Sequence, residues 1–149
     1  MENILQKAIE IATESHKNQT DRAGKPYIGH ITRVMQAGKT IEERIAGILH
    51  DIVEDTHWTF EDLLREGIPA EVVDAIRCLT KIEDETYDQF IERVKTNPIA
   101  VAVKLNDLRD NMDITRLPAI ADKDIERLCK YHKAYSELSN LKVANIPTV

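Results

Sequence analysis

The stretch Ile45-Ala-Gly-Ile-Leu49 runs without a break into His50-Asp51 and then Glu54-Asp55. An apolar run that ends in an imidazole and three carboxylates limits what the chain can become. The apolar part demands burial, and a buried ionised carboxylate is costly unless it is paired or bound to a metal. On a helix His50 and Glu54 fall four apart, as do Asp51 and Asp55. Both pairs then lie on adjoining strips of one surface. A bound divalent cation is the simplest way to make such a segment both buried and acidic.

The rest of the chain supports a compact helical reading. At 149 residues it is long enough for one domain with its own core, and residues 1–149 are read as a single domain. With 42% apolar and 31% charged residues, the composition is that of a globular protein rather than a disordered one. The net charge of −6, with no Lys/Arg cluster, excludes a general nucleic-acid binder. It does not exclude a phosphorylated substrate, because a metal ion reverses the local sign. Cys78 and Cys129 lie far apart, belong to no CxxC pair and are expected as reduced core residues. The amino terminus lacks the basic region and apolar stretch of a secretory signal, and no apolar run reaches the length of a membrane span. The expected compartment is the cytoplasm. The sequence leaves an oligomer open.

Apolar residues at three- and four-residue steps predict helices over 3–18, 28–38, 41–54, 69–81, 87–95, 98–112 and 121–141. A short helix before Gly67 completes the set. Thr40 with Glu43 forms a capping-box signal, and Thr59 with Asp62 a weaker one. Pro69 and Pro98 suit first helical turns. Residues 18–27 read as a loop carrying Arg22 and Lys25, with Lys17 just before it. Ile99-Ala-Val-Ala-Val103 is apolar almost all round, the mark of a buried helix. The final helix takes Ile125, Leu128, Tyr131, His132, Tyr135 and Leu138 as its stripe, and the tail 142–149 is expected to fray. No alternating strand pattern of useful length occurs. The expected architecture is a single all-α bundle.

His50-Asp51 and Asp107 are polar groups in apolar helices, and His30 begins a third helix. Two imidazoles and two carboxylates suit Mn²⁺, Fe²⁺ or Zn²⁺ rather than Ca²⁺ or a thiolate metal. His16, His57 and His132 form no second metal set and read as structural or surface groups; Tyr27 reads as a packing residue.

Three blocks carry a resemblance: Gly24-Lys-Pro-Tyr-Ile-Gly-His30, Leu49-His-Asp-Ile-Val-Glu-Asp-Thr56 and Val103-Lys-Leu-Asn-Asp107-Leu-Arg-Asp-Asn111-Met. In order and spacing the chain resembles the HD-domain phosphohydrolases, and more narrowly the hydrolase domain of RelA/SpoT proteins and the stand-alone small alarmone hydrolases. The resemblance implies an all-α HD-domain bundle with His30, His50, Asp51 and Asp107 as metal ligands. It implies Glu54 and Asp55 as the pair that activates or orients the attacking water, and Asn111 as a nucleotide contact. The metal implied is Mn²⁺. The reaction implied is removal of the 3′-pyrophosphate from a (p)ppGpp-type nucleotide. Arg22, Lys25, Lys104 and Arg109 are candidates to meet phosphate charge. Family members commonly carry a basic pair just before the block's glycine, with an arginine on the guanine; here the sequence is Asp21-Arg22-Ala23-Gly24. The base is therefore open between guanine and adenine, and another 3′-phosphorylated nucleotide such as NADPH is also open. No synthetase segment follows, so alarmone synthesis is not expected. A generic HD phosphomonoesterase acting on nucleotides and a non-hydrolysing nucleotide-binding module are the alternatives.

Overall fold

A computed structural model describes residues 1–144, with side chains through residue 141. The expected fraying of the tail therefore lies outside the described residues beyond 144. The chain is helical: α1 Glu2–Ser15, α2 Tyr27–Ala37, α3 Ile41–Leu49, α4 Ile52–Asp55, α5 Phe60–Arg65, α6 Ala70–Leu79, α7 Tyr87–Val94, α8 Pro98–Asn111 and α9 Asp122–Ala144, with a 3₁₀ turn at Ile114–Arg116. Extended pairing among the described residues is limited to an isolated bridge between Thr20 and Pro26. The all-α expectation holds.

Local chemistry sets many of the helix starts. Thr40 and Glu43 form a reciprocal capping box at α3, and Thr59 and Asp62 form one at α5. Thr86 and Gln89 form a further box at α7 that the sequence reading did not single out. The Asn97 side chain caps α8, with Pro98 in the first turn where its missing N–H costs nothing.

α3 is the centre of the bundle and packs against α1, α2, α6 and α8. This placement explains its apolar run: Ile45 to Leu49 are buried on every side. Ile31 and Val34 of α2, Ile76 of α6, Val103 and Leu108 of α8 and Leu138 of α9 complete the surrounding core. Each large aliphatic side chain so buried contributes about 1.5–3 kcal/mol.

The fit of α2 against α3 depends on Gly47. A Cβ there would lie 3.1 Å from Met35 Cα and 3.3 Å from the Val34 carbonyl carbon, both backbone atoms. Gly47→Ala gains about 1 kcal/mol of helix propensity. Pushing two backbones apart costs about 1–3 kcal/mol. Net destabilisation is the expected result in urea unfolding, with weaker metal binding because His30 and His50 flank this contact.

The structure corrects several expectations. The central helix is not continuous over 41–54: it stops at Leu49, and α4 restarts at Ile52. Asp51 sits at φ −104°, ψ 2°, outside helical geometry. The cause is local, because His50 Nδ1 lies 2.7 Å from the Gly47 carbonyl, the acceptor a continuing helix offers to the Asp51 N–H. α1 ends at Ser15 rather than at residue 18. Cys129 is exposed and Cys78 only half-buried, so Cys129 is not a core residue. Ile125 is 51% exposed and His132 is exposed as well. The inward strip of α9 runs instead through Asp124, Arg127, Leu128, Tyr131, Ala134, Tyr135 and Leu138. That strip keeps the three- and four-residue steps, and the helix packs on α8.

Candidate active site

The three sequence blocks converge on one point. His30 comes from the first turns of α2, His50 and Asp51 from the break between α3 and α4, and Asp107 from the last turns of α8. One donor atom from each of His30, His50 and Asp107 lies within 4.8 Å of the others, and all three residues are buried. Asp107 Oδ1 is 3.0 Å from His30 Nε2 and 3.4 Å from His50 Nε2. Asp51 stands beside this set, with Oδ2 3.1 Å from His50 Nε2.

The outward nitrogens fix the tautomers. In the neutral ring, His50 Nδ1–H donates to the Gly47 carbonyl, which leaves Nε2 as a lone-pair donor facing the cluster. His50 Nε2 is buried and has no hydrogen-bond partner among the described residues. His30 Nδ1–H donates to Asp110 Oδ2 at 2.6 Å, again aiming Nε2 inward. A ligand histidine oriented by a carboxylate on its far nitrogen is a recurrent arrangement in metal centres. The donor set of two imidazoles with carboxylate fits a divalent transition metal, and such an ion would give the buried His50 Nε2 a partner.

Asp110 went unrecognised in the sequence, although it sits one turn after Asp107 on the same helix. Arg33 Nε donates to its Oδ1 at 2.7 Å, and Arg116 approaches its Oδ2 at 3.3 Å. Burial pushes the Asp110 carboxyl up, but the hydrogen bonds from His30 and Arg33 hold it far below the usual range. Asp110→Asn is expected to lower metal affinity about 10–100-fold. The fold should persist, and metal titration of the variant beside its thermal melt checks both.

Tyr27 was expected only to pack. Its ring does lie between His16 and His30, at 5.4 Å from each. Its hydroxyl also donates to Asp51 Oδ2 and so orients that carboxylate. Burial, with Asp51 beside it, raises the phenol pKa and keeps it a donor. His16 is buried, as a structural residue should be, while His57 is exposed.

Asp107 is the hub of the charge balance. Its Oδ2 accepts from Lys104 Nζ at 2.8 Å, and its Oδ1 accepts from Asn111 Nδ2 at 3.0 Å. Burial raises the Asp107 carboxyl, but the Lys104 ammonium and the two imidazoles overcome this and hold it well below its usual value. Burial lowers both imidazoles, yet the carboxylates prevail: His30 is raised by Asp107 and Asp110, and His50 well raised by Asp51 and Asp107. Asp55 goes the other way. Partial burial, with Asp51 and Glu54 nearby, raises it to about 6.

The cluster opens into a cleft of about 410 Å³. Glu54 and Asp55 stand on its wall, and so do Lys104, Asn111 and Arg22. Glu54 Oε1 also accepts from the Lys81 N–H at 2.9 Å. Arg116 and Arg127 line the same cleft and were not singled out in the sequence, and Tyr131, read there as part of the final helix's stripe, lines it too. Lys25 is exposed and lies off this wall. Arg109 turns away to the Tyr135 hydroxyl at 3.0 Å, and Lys17 pairs with Glu14. The cations facing the cleft are thus Arg22, Lys104, Arg116 and Arg127.

No family model matches the chain. A probable GTP pyrophosphokinase of Mycobacterium leprae is 32% identical over 76% of this chain and 16% of its own length. A guanosine-3′,5′-bis(diphosphate) 3′-pyrophosphohydrolase of Aquifex aeolicus is 32% identical over 72% of this chain and 17% of its own. The bifunctional (p)ppGpp synthase/hydrolase SpoT of Escherichia coli is 29% identical over 72% and 17% respectively. The chain therefore spans about a sixth of the length of the curated relatives it matches. Among solved structures, a metazoan ortholog of SpoT superposes with a TM-score of 0.75 at 21% identity, over 91% of this chain and 84% of its own. Together the helical architecture and the His, His-Asp, Asp cluster define an HD-type domain. More narrowly, the chain is a RelA/SpoT-type HD domain, related to those enzymes over the segment it shares with them. Among the described residues no helix is long and apolar enough to cross a membrane.

Proposed function

We propose that this domain is a metal-dependent pyrophosphohydrolase that removes the 3′-pyrophosphate from a ppGpp-type nucleotide, with Mn²⁺ as its metal. The observation that carries the reading is the convergence of His30, His50 and Asp107 beside a cleft whose wall carries Arg22, Lys104, Arg116 and Arg127 among its carboxylates. The names of the Aquifex and Escherichia relatives support it.

His30, His50, Asp51 and Asp107 would hold the ion. When bound, the ion supplies positive charge to the phosphoryl oxygens and lowers the pKa of water at the site. Glu54 and Asp55 lie one turn past the His-Asp pair and on the cleft wall. Asp55, at about 6, is matched to taking a proton from the attacking water near neutral pH. Glu54, tethered to the Lys81 amide, orients that water. Arg22, Arg116 and Arg127 meet the phosphates. Lys104 and Asn111 hold the Asp107 carboxylate and border the nucleotide, while Lys25, off the wall, contributes at most long-range charge.

The test is incubation of the metal-loaded protein with ppGpp, ppApp and NADPH, with product analysis. Release of pyrophosphate from an alarmone is the expected result. Absence of turnover of all three, with metal shown to be bound, rejects this substrate class. Orthophosphate release in place of pyrophosphate identifies a phosphomonoesterase instead.

A further inference from the structure

We infer that Arg93 is a positioning residue for Glu54, acting through the peptide group between Thr80 and Lys81, an inference that rests on the role given to Glu54 above. Glu54 is exposed on the four-residue helix α4. The Lys81 N–H, 2.9 Å from Oε1, is the one hydrogen-bond partner of its side chain among the described residues. The Thr80 carbonyl is the other end of that same peptide group, and it accepts from Arg93 Nη2 at 2.6 Å. A trans peptide is planar, with its C=O and N–H pointing opposite ways. Whatever fixes the oxygen therefore fixes the direction of the N–H. A cation on the oxygen also polarises the amide and strengthens the hydrogen bond that its N–H gives to a carboxylate.

Arg93 is itself held. Its Nε and Nη2 donate to the two oxygens of Glu85 at 2.6 and 2.9 Å, and Nη1 donates to the Arg77 carbonyl at 2.9 Å. The Glu85 side chain is 9% exposed, and its Oε1 also accepts the Ile82 N–H at 3.2 Å. Arg93 thus ties α7 to the last turn of α6 and to the connection 80–86. The planar fork of a guanidinium reaches all these acceptors at once, whereas an ammonium is a compact point charge. Neither Arg93 nor Glu85 lines the cleft. A clamp on the connection needs only the Glu85 pair and the Arg77 contact. The Thr80 contact adds something else, an N–H aimed at Glu54.

Arg93→Lys keeps the charge and loses the fork. On the full chain with Mn²⁺ and ppGpp, R93K is expected to lower kcat about 10–100-fold, the cost of displacing a group that orients a reactant. KM and Mn²⁺ affinity should stay within about twofold of the wild type, because Arg93 touches neither the cleft nor the metal cluster. In a Glu54→Gln background the same substitution should cost less than about twofold, since the group it positions is already gone. The carboxylate carbon resonance of Glu54, read without Mn²⁺ and identified by its absence in E54Q, should move in R93K toward that of a free glutamate. Wild-type kcat in R93K, an equal loss in the E54Q background, a parallel fall in metal affinity, or an unmoved Glu54 resonance overturns the inference. Should R93K melt early, Glu85→Gln is carried through the same cycle and decides, because it loosens the same guanidinium while keeping an acceptor for the Ile82 N–H. Where E54Q leaves too little turnover to compare, the Glu54 resonance decides alone. No turnover by the wild type removes the hydrolase, and a Glu54 resonance that moves in R93K then leaves Arg93 as the residue that sets Glu54.

Discussion

Asp107→Ala is expected to abolish metal binding, lower hydrolysis by at least about a thousandfold, and destabilise the metal-free fold by about 3–5 kcal/mol. The size follows from what the carboxylate satisfies. Asp107 is 5% exposed and faces Lys104, Asn111, His30 and His50 at once. Its removal strands a buried ammonium and leaves two inward imidazole nitrogens facing each other. Breaking a buried ionic cluster at one partner costs far more than the cluster contributes as a whole, because the remaining charges stay desolvated. Against a total domain stability of about 5–15 kcal/mol, that loss is large. Asp107→Asn fills the same volume, so it should lose the metal with a smaller stability change. Urea unfolding of both variants without metal, beside metal titration, checks the pair. A D107A protein as stable as the wild type would show that the cluster carries no buried charge.

The metal-free protein is expected to lose stability as pH rises above about 6.5, and added Mn²⁺ to stabilise it more at alkaline pH than at acid pH. His30 and His50 are both raised above their usual 6.5 in the folded chain. A group with a raised folded pKa contributes stability that is complete below the unfolded value and lost as pH climbs through the folded one. Each imidazole that loses its proton in this window adds a slope of about 1.4 kcal/mol per pH unit. Asp107 is depressed, so its contribution is present above 3.8 and disappears only in strong acid. Asp55, raised to about 6, costs stability between 3.8 and 6 and adds no slope above that. The slope above 6.5 therefore belongs to the two histidines. A metal needs them neutral, so it competes with protons at low pH and binds unopposed at high pH. Thermal melts at pH 6 and 8.5, with and without Mn²⁺, read this directly. A shift of equal size at both values would show that protons and metal do not compete for the site.

Much of the fold was legible because helices are local objects. The steps in Val72, Val73, Ile76 and Leu79 placed α6, and the Thr40–Glu43 and Thr59–Asp62 pairs placed two helix starts to the residue. Where side chains compete with the backbone, periodicity failed. His50 sits in an unbroken helical pattern, yet its ring takes the Gly47 carbonyl and the helix stops. On α9 the pattern admitted more than one stripe, and Ile125 and Cys129 fell on the wet side of the one that packs.

At the candidate site, the sequence by itself determined the chemistry. An imidazole and carboxylates in apolar surroundings at His30, His50-Asp51 and Asp107 require compensation wherever the helices go. Only the tertiary structure decided how that compensation is arranged. It turned Asp110 onto His30, brought the Tyr27 hydroxyl to Asp51, gave Lys104 to Asp107 and left Lys25 outside the cleft. Those outcomes depend on the angles at which α2, α3 and α8 cross. Packing of side chains distant in sequence sets those angles, and no spacing along the chain records them.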